Sequence, residues 1–145
     1  MSTTIDVNVL VYASNQADPA HDAARDLLGR LAAGPDIVYV FWPVAIGYLR
    51  IVTHAAILPR PLGAVQAMGN VAGLLARPHV HAAGEEPGFW DVYRDTAGEQ
   101  ARGNEVPDAH LVALMRQHGV RVLYTRDRSF RRFDGVEVRD PMQAR

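Results

Sequence analysis

The sequence predicts an α/β fold in a single domain, a parallel sheet covered by helices on both faces. Three observations point to it. Short apolar runs rich in β-forming residues recur at 3–5, 37–41 and 120–124. Between them lie long stretches in which apolar residues return at helical spacing. Strands that alternate with helices in this way pair in parallel, because each must cross over before it can lie beside an earlier one. The chain has 145 residues, 48% of them hydrophobic, which suits one core and one domain over 1–145.

Thr3 to Ile5 read as the end of the first strand. Asp6 follows inside the run Ile5-Asp6-Val7-Asn8-Val9-Leu10-Val11-Tyr12. A carboxylate among such neighbours is costly unless it is paired or bound to a cation. Propensity alone favours a continued strand. A strand ending at Asp6, with a helical turn after it, places the carboxylate where open α/β sheets bind ligands. That reading is adopted. Asn8 then either positions Asp6 or a water, or closes a local turn.

Asp18-Pro19 opens a helix, with Asp18 as N-cap and Pro19 in the first position. Ala20, Ala23, Ala24, Leu27, Leu28 and Leu31 form its core face, and Asp22 and Asp26 its solvated side. After the buried strand at 37–41, Pro43 begins a helix reaching about His54. Gly47 inside it costs about 1 kcal/mol relative to Ala, so a close neighbour is expected there. A third helix runs from Leu62 to Ala76, with Leu62, Val65, Met68, Ala72 and Leu75 as its packing stripe. Pro78 to Ala82 form a minor strand on which His79 and His81 point to one side, without a third ligand nearby to make a metal site. Phe89 to Gln100 are helical, with Trp90, Tyr93 and Ala97 inward.

The stretch Gly103-Asn104-Glu105-Val106-Pro107-Asp108-Ala109-His110-Leu111 is a polar loop entering a helix. Pro107 suits the first helical position. Asp108 then lies in the first turn, where the positive end of the helix dipole favours its ionised form. The helix ends near His118-Gly119, with Gly as the left-handed cap. The strand at 120–124 ends at Thr125-Arg126-Asp127, so Asp127, like Asp6, sits just past a strand's carboxyl end. Phe130 and Phe133 anchor the next segment, and Val136 and Val138 mark a last short strand. Right-handed crossovers bring the carboxyl ends of the strands to one edge. Asp6, Asp127 and the start of the Asp108 helix converge there.

Composition excludes several chemistries. Cysteine is absent, which removes disulfides, thiolate catalysis and cysteine zinc sites. Lysine is absent too, which removes a P-loop and a Schiff-base enzyme. No apolar run is long enough to span a bilayer, and the N-terminus lacks signal-peptide blocks, so a cytoplasmic chain is expected. Net charge is −1, but residues 116–145 carry eight Arg against four acids. Arg126, Arg128, Arg131 and Arg132 cluster in that tail, as a phosphodiester substrate beside acidic groups would need.

Three converging carboxylates repel one another, and each resists ionisation. A hard divalent cation such as Mg²⁺ or Mn²⁺ removes that penalty. It can also activate water and stabilise charge on a phosphoryl oxygen. The residues therefore point to a metal-dependent phosphodiesterase or phosphatase.

The strings Ile5-Asp6-Val7-Asn8-Val9-Leu10-Val11-Tyr12-Ala13, Val106-Pro107-Asp108-Ala109-His110-Leu111-Val112-Ala113-Leu114 and Thr125-Arg126-Asp127-Arg128-Ser129-Phe130 with Phe133 together resemble a PIN domain. More closely, they resemble the VapC toxins of bacterial toxin–antitoxin pairs. The order and spacing match over nearly the whole chain. The resemblance implies a PIN-like three-layer sandwich with a four- or five-stranded parallel sheet. It implies a Mg²⁺ or Mn²⁺ ribonuclease acting on an RNA substrate, a homodimer, and a small VapB-like antitoxin. By motif, Asp6, Asp108 and Asp127 would be catalytic metal ligands, with Thr125 and Asn8 orienting them. One departure stands out. PIN nucleases usually carry a Glu early in the helix after the second strand, and here Gly47 or Tyr48 holds that place. Arg128 also replaces a frequent acid, and Glu105 is the nearest substitute. One firmly held metal is expected, with a second weak or dependent on RNA. Trp42, Tyr48 and Leu58 offer an apolar groove for an antitoxin helix. The competing readings are a catalytically inactive PIN module that binds RNA or a protein, and an aspartate-nucleophile phosphatase of the haloacid dehalogenase kind. The latter wants an acid where Asn8 stands and a lysine this chain lacks.

Overall fold

The computed structural model describes residues 1–143. Five strands, β1 (Ser2–Ile5), β2 (Ile37–Phe41), β3 (Val80–Ala83), β4 (Val122–Tyr124) and β5 (Glu137–Arg139), form one sheet in the order β3-β2-β1-β4-β5, and every pairing is parallel. Six helices flank it: α1 (Val7–Ser14), α2 (His21–Ala33), α3 (Trp42–Val52), α4 (Ala64–Leu75), α5 (Phe89–Ala97) and α6 (Glu105–Gln117). α1 packs on α2 and α3, and α5 packs on α6.

The central strand β1 lies between β2 and β4, so both of its edges are paired. Thr3, Thr4, Ile5 and Asp6 are all buried. Thr4 fits this environment by donating its hydroxyl to the Tyr39 carbonyl at 2.7 Å. The main core joins Ile5, Val9, Leu27, Phe41, Val52, Val112, Leu114, Met115, Leu123 and Phe130, so both helical layers and the sheet share one apolar interior.

Most elements fall where the residues place them, with informative exceptions. α2 begins at His21, later than Asp18-Pro19 implies. Asp18 instead closes the preceding turn by accepting from the Ala20 N–H at 2.8 Å. In α4 the packing stripe lies on another face. Val65 and Met68 are exposed, while Ala67 is buried and Val71 and Leu74 pack against the core. That helix has no charged residue between Ala64 and Leu75, and its two polar side chains, Gln66 and Asn70, are a weak signal for its rotation. In α5, Trp90 is 67% exposed and stacks on Tyr93, and Phe89 takes the inward place against His110. His79 and His81 form no joint site. The His79 ring lies against Gly34 and His81 lies beside Tyr39.

Gly47 meets the expected close neighbour. A Cβ built there lies 3.4 Å from Cγ2 of Val7, where α3 passes α1. That is an ordinary van der Waals distance, so Gly47→Ala is expected to stabilise the fold by about 0.5–1 kcal/mol through helix propensity. Chemical denaturation checks this. A destabilised variant would mean that α3 and α1 have no slack.

Candidate active site at the carboxyl edge of the sheet

Asp6 is the residue on which β1 becomes α1. Its backbone is extended, and its carboxylate Oδ1 accepts from the Val7 N–H at 2.7 Å, so it caps the helix it precedes. Capping ends the strand despite the β-branched run that follows, because it satisfies an orphan donor and aims the acid outward over the sheet edge. Its other oxygen accepts from the Thr125 hydroxyl at 2.9 Å. The Asp6 N–H donates to the Tyr124 carbonyl at 3.0 Å, which ties the end of β1 to the end of β4.

Thr125 joins two of the acids. Its hydroxyl donates to Asp6 and accepts from the Asp127 N–H at 3.0 Å. Thr125 is 1% exposed, so this link is shielded from water. Asp127 in turn caps a 3-10 helix at Arg128–Arg132, its Oδ1 accepting from the Ser129 N–H at 2.9 Å. Asp108 comes from the other layer, in the first turn of α6. That helix starts at Glu105 rather than Pro107, and Pro107 still falls among the first positions, whose N–H groups have no intrahelical acceptor. Arg132 reaches Asp108 Oδ2 at 3.5 Å, anchored by the Ser129 carbonyl at 2.8 Å and by the face of Phe133 at 4.3 Å.

The acids act on one another. Burial raises the Asp6 carboxyl above the ordinary carboxylate range against the pull of its two hydrogen bonds, and the charges of Asp108 and Asp127 raise it further. Asp108 is likewise raised, by desolvation first and then by Asp127, with Arg132 opposing and Glu105 adding to the repulsion. The three carboxylates predicted from separate motifs are thus electrostatic neighbours.

A proton is therefore bound more tightly to Asp6 in the folded chain than in the unfolded one. The ionised carboxylate costs stability above its raised folded value. That cost disappears as the pH falls toward the ordinary value of 3.8. In chelator, wild type is expected to lose stability relative to Asp6→Asn on going from acidic to neutral pH. Denaturant midpoints across that range measure it, and parallel curves would show that Asp6 carries no penalty.

The donor set fits a hard cation: oxygen only, anionic and mutually repelling. Among the described residues, however, no three acid, His or Cys side chains lie close enough together to hold a metal ion. Arg132 holds one oxygen of Asp108, and Ser129 one of Asp127. The second oxygen of each accepts no protein hydrogen bond among the described residues.

Other expected contributors fall elsewhere. Asn8 is exposed on α1, and no hydrogen bond joins its side chain to Asp6 among the described residues. Tyr48, at the place of the missing Glu, is buried, and its hydroxyl meets Ser14 Oγ at 2.7 Å and Asn70 Nδ2 at 3.0 Å. Glu105 is exposed. Leu58 is buried like Tyr48, so with Trp42 they make no open groove. The Arg cluster divides. Arg132 turns to Asp108, Arg126 lies over the Tyr12 ring at 5.9 Å, and Arg131 lines a separate cleft. Sequence reasoning missed the partnership of Arg132 with Asp108. Their separation of 24 residues gives no local pattern that could have shown it.

Comparison with known proteins agrees with this geometry. The PIN domain family model matches residues 3–136. The chain is 53% identical over 142 residues to a Mycobacterium tuberculosis protein called Ribonuclease VapC48, covering 97% of this chain and 98% of that one. The crystal structure of M. tuberculosis VapC20, described as a Sarcin-Ricin loop cleaving toxin, superposes with a TM-score of 0.67 at 18% identity, over 93% of this chain and 98% of the other. A chain of VapBC2 from Rickettsia felis, bound to a DNA fragment from its promoter, superposes with a TM-score of 0.65 at 17% identity, over 97% and 98%. The chain belongs to the PIN-domain family and, within it, to the VapC proteins.

Proposed function

We propose that this chain is a ribonuclease toxin of a toxin–antitoxin pair, hydrolysing RNA phosphodiesters at the sheet edge that carries Asp6, Asp108 and Asp127. The observation that carries the reading is the placement of acids at one edge of the sheet: Thr125 joins Asp6 to the Asp127 turn, and Arg132, from the 3-10 helix that Asp127 caps, reaches Asp108. The near full-length relative named a ribonuclease supports the RNA substrate. The cofactor would be Mg²⁺ or Mn²⁺, which the three carboxylates would close on to hold. When bound, such an ion withdraws charge from the phosphoryl oxygens and makes water more acidic.

The protein's own groups do the rest. Asp6, fixed by Val7 and Thr125, sets the floor of the site. Asp108 and Asp127 offer their unengaged oxygens from opposite layers. Arg132, anchored by Phe133 and Ser129, neutralises charge on whichever anion faces it: Asp108 in the resting site, a phosphate in the occupied one. Attack is in line by water, with no covalent intermediate.

The whole chain, 1–145, works as one cytoplasmic PIN domain. It assembles as a homodimer and is held inactive by a VapB-like antitoxin, in keeping with the VapBC neighbours. Exposed Ile46, Val65 and Met68 supply apolar surface for such contacts.

The test is cleavage of total cellular RNA with Mg²⁺, with Mn²⁺ or with EDTA. Discrete fragments that need metal are expected. A folded protein that leaves RNA intact in every metal would favour the second reading, an inactive PIN module that binds RNA or a protein. The absence of an acid at Gly47 and Tyr48 is the observation on its side. Thr125→Val should lower cleavage roughly 10–100-fold by unfixing Asp6 and the turn to Asp127. Unchanged cleavage would make Thr125 structural only.

A further inference from the structure

We propose that a second, cationic cleft beside the acidic site binds the RNA strand away from the scissile bond, with Arg30 and Arg131 holding one of its phosphates. The proposal rests on the ribonuclease reading and adds where the substrate runs.

The cleft has a volume of about 580 Å³. Leu27, Tyr124 and Val138 line it together with Arg30, Arg131 and Arg139. Its place follows from the register of the sheet. Ile5 pairs with Tyr124, and Tyr124 pairs with Arg139, so β1, β4 and β5 all end at one level. Asp6 stands at the end of β1 and the cleft at the ends of β4 and β5, along the same edge. Two covalent links couple them. Tyr124 immediately precedes Thr125, the residue that holds Asp6. Arg131 lies in the 3-10 helix that Asp127 caps. A strand with one phosphate over the acids therefore has the cleft as its neighbour.

The charges in the cleft ask for an anion. Arg139 is paired with Glu137 and touches the Tyr124 hydroxyl at 3.4 Å. Arg30, in the last turn of α2, and Arg131 have no carboxylate at ion-pair distance among the described residues. The one acid lining the cleft, Asp140, accepts from the Met142 N–H. Guanidinium groups gathered without partners repel, and a phosphate that accepts from them removes that cost. Tyr124 adds an aromatic ring, on which a base can stack. The chain as a whole is weakly acidic, so a local basic cleft has to supply the attraction that net charge does not.

The test uses Asp108→Asn protein, so that RNA is bound without being cut, and a labelled oligouridine of about 12 nucleotides. Affinity is followed by fluorescence anisotropy as salt is raised. Each phosphate contact on a single strand contributes about 0.7 to the slope of log affinity against log salt. Adding Arg30→Gln and Arg131→Gln is expected to flatten the slope by about 0.7, the share of that one phosphate. Arg77→Gln, exposed before β3 at the far side of the sheet, should leave it unchanged. Equal melting temperatures for all variants certify the fold. An unchanged slope in the double variant, or the same loss with Arg77→Gln, would overturn the subsite and leave the cleft to a protein carboxylate. If Asp108→Asn protein binds no RNA and wild type cleaves none in Mg²⁺ or Mn²⁺, the ribonuclease reading itself fails, and the subsite with it.

Discussion

Asp108→Asn is expected to lose metal-dependent RNA cleavage by at least about 100-fold while folding as well as wild type. The size follows from chemistry worth several kcal/mol at a phosphoryl oxygen, since about 2.7 kcal/mol corresponds to 100-fold in rate. The substitution keeps the shape of the side chain and removes only its charge. Stability should hold, because the charge being removed is one the fold resists. Asp108 is raised by desolvation and by Asp127, and only Arg132 compensates. The same logic applies to Asp6, which is more deeply buried. A companion measurement is thermal unfolding with and without Mn²⁺. At a metal concentration 100 times the dissociation constant, a bound ion stabilises by about 2.7 kcal/mol, or several degrees in this size range. That shift should vanish in Asp6→Asn. Cleavage that survives Asp108→Asn would move the active site elsewhere.

Phe130→Ala is expected to cost about 3–5 kcal/mol and to lower the melting temperature by roughly 10 °C or more. Phe130 is 1% exposed, with its ring 6.3 Å from that of Phe133. It is the buried residue of the short 3-10 helix that Asp127 caps. The same loop carries Arg132, whose guanidinium rests on the Phe133 ring. A cavity here therefore loosens Asp127 and Arg132 together. Activity should fall even at temperatures where the chain remains folded. The contrast with Asp108→Asn is the point of the pair: one removes chemistry and spares the fold, the other removes packing and takes the chemistry with it. A small stability change for Phe130→Ala, measured by denaturant titration, would mean that this loop is not seated on the core as the structure has it.

Much of the candidate site was legible because its signals are local. An acid inside an apolar run, as at Asp6, is conspicuous in one dimension. An acid in a helical first turn after Pro107, or just beyond a strand, as at Asp127, is likewise read from its immediate neighbours. Parallel topology then does the gathering, since it places all strand ends on one edge. Helix rotation was less legible. α4 has apolar or small residues nearly all round, so Val65 and Met68 read as core and stand in solvent, while Ala67 carries the contact. Trp90 was misplaced for a related reason. Phe89, Trp90 and Tyr93 are all aromatic, and which of them turns inward depends on where α6 lies.

The sequence by itself determined the α/β class and the order of strands and helices, and it singled out three candidate carboxylates, because capping, periodicity and desolvation cost act within a few residues of chain. Only the tertiary structure decided what those carboxylates touch. Thr125 reaches Asp6 across 119 residues, and Arg132 reaches Asp108 across 24. It also drew Arg126, Arg131 and Arg132, near neighbours in sequence, toward three different surroundings. Hydrogen bonds and ion pairs act over a few ångströms of space, and which groups come that close is set by how the layers pack, not by their spacing along the chain.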